Sequence, residues 1–394
     1  MSELQEQLDL LRRRLTPRRV NQEHVDEYLA GAEVETPLGR HWEIEKLFER
    51  HRRHGGMEIS DLEDLPGDLL DPISDGRIVD VPPSSWAFLD TETSGLAGGS
   101  GTYAFLVGVG RITPEGFRVR QFFMREYGEE PSLLHALTEH LREFQVLITY
   151  NGKTFDQPLL ETRYRMSRLK LPFDALEHLD LLFGARRLWK LRFESCRLVD
   201  LEREILGVER QGDVPGAMIP SLYFEYLRTR SAGPLIPVFH HNAIDILTLA
   251  ALTGIVPRAF QAPGQARFTH AGEMIGLGRW HRQAGAYEHA LALFRQAIER
   301  KISDELLFRT MWDIACLEKK LDRHAAALAV LGDLATCKNP FRVLALEALA
   351  KHYEHRERNF AAALEYTRRA IELSATKSLE HRAERLERLV GRRQ

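Results

Sequence analysis

Residues Ser85 to Leu96 read SWAFLDTETSGL, and the fold is decided by how this stretch is taken. Trp86 to Leu89 form an apolar run too short for a helix and of the kind that fills a buried strand. The run ends in Asp90, and Asp90-Thr91-Glu92 puts two carboxylates on one face of an extended chain, because side chains alternate. Ser94-Gly95-Leu96 then turns the backbone outward. Two acids converging at a strand end make a hard-oxygen site suited to Mg²⁺ or Mn²⁺. Two further acid-x-acid pairs, Asp61/Glu63 and Asp200/Glu202, lie in polar or helical contexts and read as solvated charge.

Downstream of this strand, TYAFLVGVGRI and FRVRQFFM, joined by TPEG, predict an antiparallel pair. Leu133, Leu134, Leu137 and Leu141 recur at helical spacing between Pro131 and Phe144. VLITYN is a second buried strand. It runs into Asn151-Gly152-Lys153-Thr154-Phe155-Asp156, where Asp156 opens the helix PLLETRYRMSRL; the plain reading of such an Asp is a helix-terminal charge. HLDLL adds a strand in which Asp180 reads as structural, beside the acids. Two helical stretches then reach Val256. The second carries His240-His241-Asn242-Ala243-Ile244-Asp245, and its Ile244, Leu247, Ala251 pattern turns Asp245 toward the core. Strands alternating with helices after an initial meander specify an α/β fold, a mixed sheet with helices on its faces.

Residues 1–80 read as a lead-in: a helix carrying Leu4, Leu8, Leu11 and Leu15, ended by Pro17, then an Asp-, Gly- and Pro-rich linker from Gly55 to Val81. The sheet domain is expected over 81–258. From 265 to 394 the periodicity is purely helical and repeats. LGRWHRQAGAYEHALALFRQAIE aligns with IACLEKKLDRHAAALAVLGDLA and with LAKHYEHRERNFAAALEYTRRAIE, in a register marked by Ala290/Leu291, Ala327/Leu328 and Ala363/Leu364. A period in the middle thirties is that of tetratricopeptide helix pairs. Tyr287 and Phe360 fill the aromatic position, from which His324 departs.

The formal net charge is −3, so any hold on nucleic acid must come from a local basic track. Arg186, Arg187, Lys190, Arg192 and Arg197, interleaved with Leu188, Trp189 and Phe193, form one candidate, and a solvated helix face with an apolar underside is the other reading. Cys196, Cys316 and Cys337 show neither CxxC spacing nor a histidine pair, which fits a reducing compartment without zinc or disulfides. With no signal-like N-terminus and no run of eighteen apolar residues, the expectation is a cytoplasmic protein that does not enter a membrane.

Acid-x-acid on the first strand, N-x3-F-D at a later helix start and a histidine before an acid on the last helix occur here in the order found in DEDD-type 3′–5′ exonucleases. LDTETSGL resembles the proofreading and ribonuclease members of that superfamily. LAGGSGTYAFLVGVG and HHNAIDILTL resemble its YprB-like ribonuclease H-like domain, over roughly Trp86 to Val256. The resemblance implies that Asp90, Glu92, Asp156 and Asp245 hold two divalent ions, Mg²⁺ or Mn²⁺, for phosphodiester hydrolysis. It implies a general base on the histidine before Asp245. His240 has the four-residue gap of the histidine subclass and is preferred; His241 has the three-residue gap at which the sister subclass places tyrosine. Thr93, Leu96 and Asn151 would meet the substrate, a single-stranded end of DNA or RNA, and the repeats offer a surface for a protein partner. The competing expectations are a scaffold protein with a degenerate nuclease-like domain, and a structure-specific endonuclease on the same fold.

Overall fold

A computed structural model describes residues 30–95, 101–266 and 268–391. The expected N-terminal leucine helix lies outside the described residues. The chain divides into two compact units, one running up to Ala185 and including Ser195–Ala262, the other formed by Arg186–Glu194 and the residues from Pro263 onward.

The first unit is built on a seven-stranded mixed sheet in the order β1-β2-β7-β6-β5-β8-β9. Its strands are β1 (Gly31–Thr36), β2 (Gly39–Glu49), β5 (Trp86–Thr93), β6 (Ala104–Thr113), β7 (Gly116–Phe123), β8 (Val146–Thr149) and β9 (Glu177–Asp180). β3 (Arg53–His54) and β4 (Met57–Glu58) form a separate small ladder. β6 and β7 pair antiparallel, as the TPEG turn predicts, whereas β5, β8 and β9 are parallel.

The lead-in reading of residues 1–80 fails at β1 and β2. β2 pairs antiparallel with β7 from Trp42 opposite Phe123 to Glu49 opposite Gly116, so the sheet begins well before residue 81. Trp42 is buried, and His41 is held between Ser132 and Glu43, with ring nitrogens 2.9 Å from each. The missed signal was Thr36-Pro37-Leu38-Gly39, the same T-P-x-G hairpin as Thr113-Pro114-Glu115-Gly116. In both turns the threonine hydroxyl donates to the glycine carbonyl at 3.1 Å, and both glycines have positive φ.

The longer helices that pack with the sheet or lead away from it are α1 (Glu130–Leu141), α2 (Asp156–Met166), α3 (Leu181–Trp189), α4 (Ile219–Thr229) and α5 (Ile236–Gln261). Asp90 pairs with Gly108 across β5 and β6, so Phe88, Asp90 and Glu92 share a sheet face with Gly108 and Gly110. Helix α5 lies on that face. A Cβ at Gly108 would sit 2.2 Å from Asn242 Oδ1, and one at Gly110 2.5 Å from Ile246 Cγ2, so the two glycines admit the helix. Gly233–Gln261 is long and apolar enough to cross a bilayer by length and composition, and most of it is buried inside this fold.

The second unit is helical: α6 (Ala271–Gln283), α7 (Tyr287–Ile298), α8 (Asp304–Lys320), α9 (His324–Thr336), α10 (Arg342–His355), α11 (Phe360–Leu373) and α12 (Lys377–Gly391). The second helix of each pair starts at the aligned position, Tyr287, His324 or Phe360. The register alanines Ala290, Ala327 and Ala363 are all buried. Small side chains there let paired helices approach, which is why the repeat was visible in the sequence.

Candidate active site

β5, β8 and β9 run parallel, so their carboxyl ends lie at one edge of the sheet, where open α/β sheets place their clefts. That edge receives Asp90 and Glu92 from β5, the loop carrying Asn151 to Asp156 from β8, and Asp180 from β9. Asp180 is a loop anchor. Its Oδ1 accepts from the backbone amides of Asn151 (2.8 Å) and Leu182 (3.1 Å), and its Oδ2 from that of Lys153 (3.2 Å). The anchored loop turns at Asn151, with φ 67°, and delivers Asp156 as the first residue of α2.

Asp90, Glu92, Asp156 and Asp245 come within electrostatic reach of one another. Asp90 is pushed well above the ordinary carboxylate range, first by burial and then by the charges of Asp245 and Asp156. Glu92 is raised likewise, by burial and then by Asp90, Asp245, Asp156 and Asp213. Burial pushes Asp156 up to about 6, against the hydrogen bond from Thr91. Two neighbours fix the carboxylates: Asn242 Nδ2 donates to Asp90 Oδ2 at 2.8 Å, and Thr91 Oγ1 donates to Asp156 Oδ1 at 2.5 Å. Asn242 is itself held by Gln121, whose Nε2 donates to its Oδ1 at 2.8 Å. Hard carboxylate oxygens that repel one another where water is scarce are the donor chemistry of Mg²⁺ and Mn²⁺. As placed, however, no group of three or more His, Cys, Asp or Glu side chains among the described residues stands ready to hold an ion.

His241 and Asp245 are one turn apart in the interior of α5, which starts at Ile236 rather than at the acid. Their side chains therefore share a face. His241 Nδ1 lies 2.7 Å from Asp213 Oδ1, and its Nε2 lies 3.6 Å from Asp245 Oδ2. Burial would raise Asp213, but the hydrogen bond with His241 and the charge of Arg210 outweigh it and hold that carboxyl low. His240, the preferred candidate from spacing, points elsewhere: it is exposed, with Nδ1 3.2 Å from Lys46 Nζ. Helical geometry is the reason, since five residues back from Asp245 is about 140° around the helix.

The partly buried Arg210 lies beside these groups. Its guanidinium is bonded to Asp245 and to Glu202, lies 3.2 Å from Asp213 Oδ2, and is 3.5 Å from His241 Nδ1. Glu202 is thus no solvated charge, as its DxE context suggested; it is fully buried and ion-paired. Among the substrate candidates, Thr93 Oγ1 donates to Gly95 O at 2.8 Å and serves the turn. Asn151 contributes its backbone to the Asp180 anchor, and Leu96 lies outside the described residues. The basic stretch is partly neutralised: Arg192 is paired with Glu273 and Arg197 with Asp200, while Leu188 and Trp189 are buried. Asn242, Asp213, Arg210 and Gln121 escaped the sequence reading, because none lies in a spaced motif with the residue it serves.

The RNase_H_2 family, of the RNase_H superfamily, matches residues 87–256, the span from β5 through most of α5. The uncharacterized protein YprB of Bacillus subtilis (strain 168) is 31% identical over 376 residues, covering 92% of this chain and 86% of its own length. The chain belongs to the YprB family. Its sheet unit is an RNase H-like domain, a superfamily membership that suggests nuclease activity and binding of nucleic acid. The similarity to YprB over most of the chain extends past that domain into the helical unit.

Proposed function

We propose that this protein is a metal-dependent nuclease of the DEDD type, a 3′–5′ exonuclease acting on single-stranded nucleic acid ends. The observation that carries the reading is the convergence of Asp90, Glu92, Asp156 and Asp245, from three separate segments, beside a histidine that Asp213 orients. Those four carboxylates would hold two Mg²⁺ or Mn²⁺ ions, which supply an activated water and relieve charge on the attacking and leaving oxygens. His241 is the general base. With Nδ1–H donated to Asp213, the lone pair of Nε2 faces Asp245 and can take the proton of the attacking water. Asp213 steadies the imidazolium that results, and Asn242 and Thr91 keep Asp90 and Asp156 from swinging away.

The bond between Arg210 and Asp245 favours a second reading, a binding protein whose guanidinium permanently fills the acid cluster. One experiment separates the two: oligonucleotides labelled at the 3′ or the 5′ end, as DNA and as RNA, incubated across a Mg²⁺ and Mn²⁺ titration. The nuclease reading expects metal-dependent release of mononucleotides from 3′ ends, lost by a factor of roughly 10³ or more in Asp90→Ala and Asp156→Ala. Full activity in both variants would remove the assignment, and no hydrolysis at any metal concentration would favour the binding protein.

A further inference from the structure

In the helical unit, three arginines crowd one carboxylate. Asp313 on α8 is buried, and its Oδ1 accepts from Arg282 Nη1 on α6 at 2.6 Å. Arg279 Nε, also on α6, lies 3.6 Å from Oδ2, and Arg309 Nε on α8 lies 3.7 Å from Oδ1. Both distances bring attraction but no hydrogen bond, and Asp313 Oδ2 has no hydrogen-bond partner. One negative charge thus faces three positive ones. The imbalance registers on Arg279: Arg309 and Arg282 add to the effect of burial, and together these outweigh Asp313 and lower its pKa. Lys319 adds a fourth cation nearby, close enough to act on Cys316 together with Arg282 and Arg309.

These groups are within reach of solvent. The side chains of Arg279, Arg282 and Arg309 keep 29%, 32% and 51% of their exposure, so two of the three present largely unsatisfied guanidinium donors at the surface. An aromatic plate adjoins them. Trp312 stacks on Phe341 with ring centroids 5.8 Å apart and planes 16° from parallel, and the Arg309 guanidinium lies 5.8 Å from the Phe341 ring. Both rings are only partly buried. Surplus guanidinium donors beside a partly exposed aromatic pair match a chain of phosphates carrying unpaired, stackable bases. An acidic peptide would satisfy the charges and leave the rings unused.

We infer that the face formed by Arg279, Arg282, Arg309, Trp312 and Phe341 grips single-stranded nucleic acid through its phosphates and a stacked base. The inference deepens the nuclease reading by adding a holding site on the helical unit, and it rests on that reading for the choice of polymer. Asp313 has a positioning role: it fixes the fan of guanidiniums that the phosphates would meet.

Binding of fluorescein-labelled oligodeoxythymidylate and oligouridylate to the full chain is measured by anisotropy in EDTA, over a range of KCl, so that hydrolysis does not intervene. In Arg279→Gln/Arg309→Gln the affinity at moderate salt should fall roughly tenfold, and the slope of log K against log salt should flatten by about 1.4 for two lost phosphate contacts. Arg309→Lys should keep the slope, because the charge remains. Arg309→Gln alone is read if circular dichroism reports that the double variant is unfolded. An unchanged slope in a folded variant overturns the inference, and so does polyglutamate binding as tightly as the oligonucleotides. Cleavage with Mn²⁺ is scored separately. Wild-type binding without cleavage removes only the nuclease reading, and cleavage with binding indifferent to these arginines removes only the holding site.

Discussion

His240 and His241 are adjacent in sequence, yet about 100° of helical rotation sends one to Lys46 and the other to Asp213 and Asp245. His241→Ala is therefore expected to lower kcat by roughly 10²–10⁴ with little change in KM, and His240→Ala to leave it within a few-fold. The reverse order would return the base to His240. Asp156 gives a prediction without catalysis. Its pKa near 6 in the folded chain, against 3.8 for the ordinary side chain, means that ionisation works against the fold. The penalty is absent below the unfolded value and complete above the folded one. In EDTA, Asp156→Asn should melt higher than wild type, by a margin that widens as the pH rises from about 4 to about 6 and levels off above that; a margin independent of pH would contradict the burial described. At this scale the four acids were legible because motifs carry them at fixed spacing. Their keepers were not, since Asn242 reaches Asp90 and Arg210 reaches Asp245 only once the helix is on the sheet.

Helix α5 owes its position to two missing side chains in β6. Gly108→Ala would drive a methyl into Asn242, at a cost of about 1–3 kcal/mol in denaturant unfolding, and would loosen Asp90 as well. Lost activity with unchanged stability would mean that the helix has room to spare. The edge of the sheet offers a second test. A chain starting at residue 81 lacks β2, leaving the hydrogen-bonding edge of β7 open and the buried Phe117 and Phe123 on one face and Phe122 on the other less covered. Such a chain should aggregate, whereas one starting at residue 30 should remain monodisperse in size-exclusion chromatography. The β6–β7 hairpin was legible and the β1–β2 hairpin was not, although both turn on T-P-x-G. The difference lay in context: long apolar strands flank the first, while β2 carries charge at Glu43, Glu45 and Lys46 and hides its burial behind ion pairs such as Glu43 with Arg120.

For the molecule as a whole, metal binding should be felt unevenly. Ions held by the acid cluster, as proposed, would stabilise the native sheet unit by mass action. Mn²⁺ should accordingly slow amide exchange in peptides spanning 86–93, 150–166 and 236–261 and leave α8 to α12 unchanged; uniform protection would place the binding elsewhere. The helical unit was the most legible part of the chain, since its period is written directly in Ala-Leu pairs, whereas the sheet draws partners from residues as distant as Trp42 and Phe123. The sheet also has a polarity that experiment can exploit. Because β6 runs back along β5, the turn Thr113–Gly116 sits at the rim opposite Asp90 and Glu92, and Pro114 and Glu115 in it are open to water. A fluorophore or a short purification tag inserted between those two residues would therefore ride on the far end of the domain, giving a handle for surface immobilisation that leaves the acid pocket unobstructed.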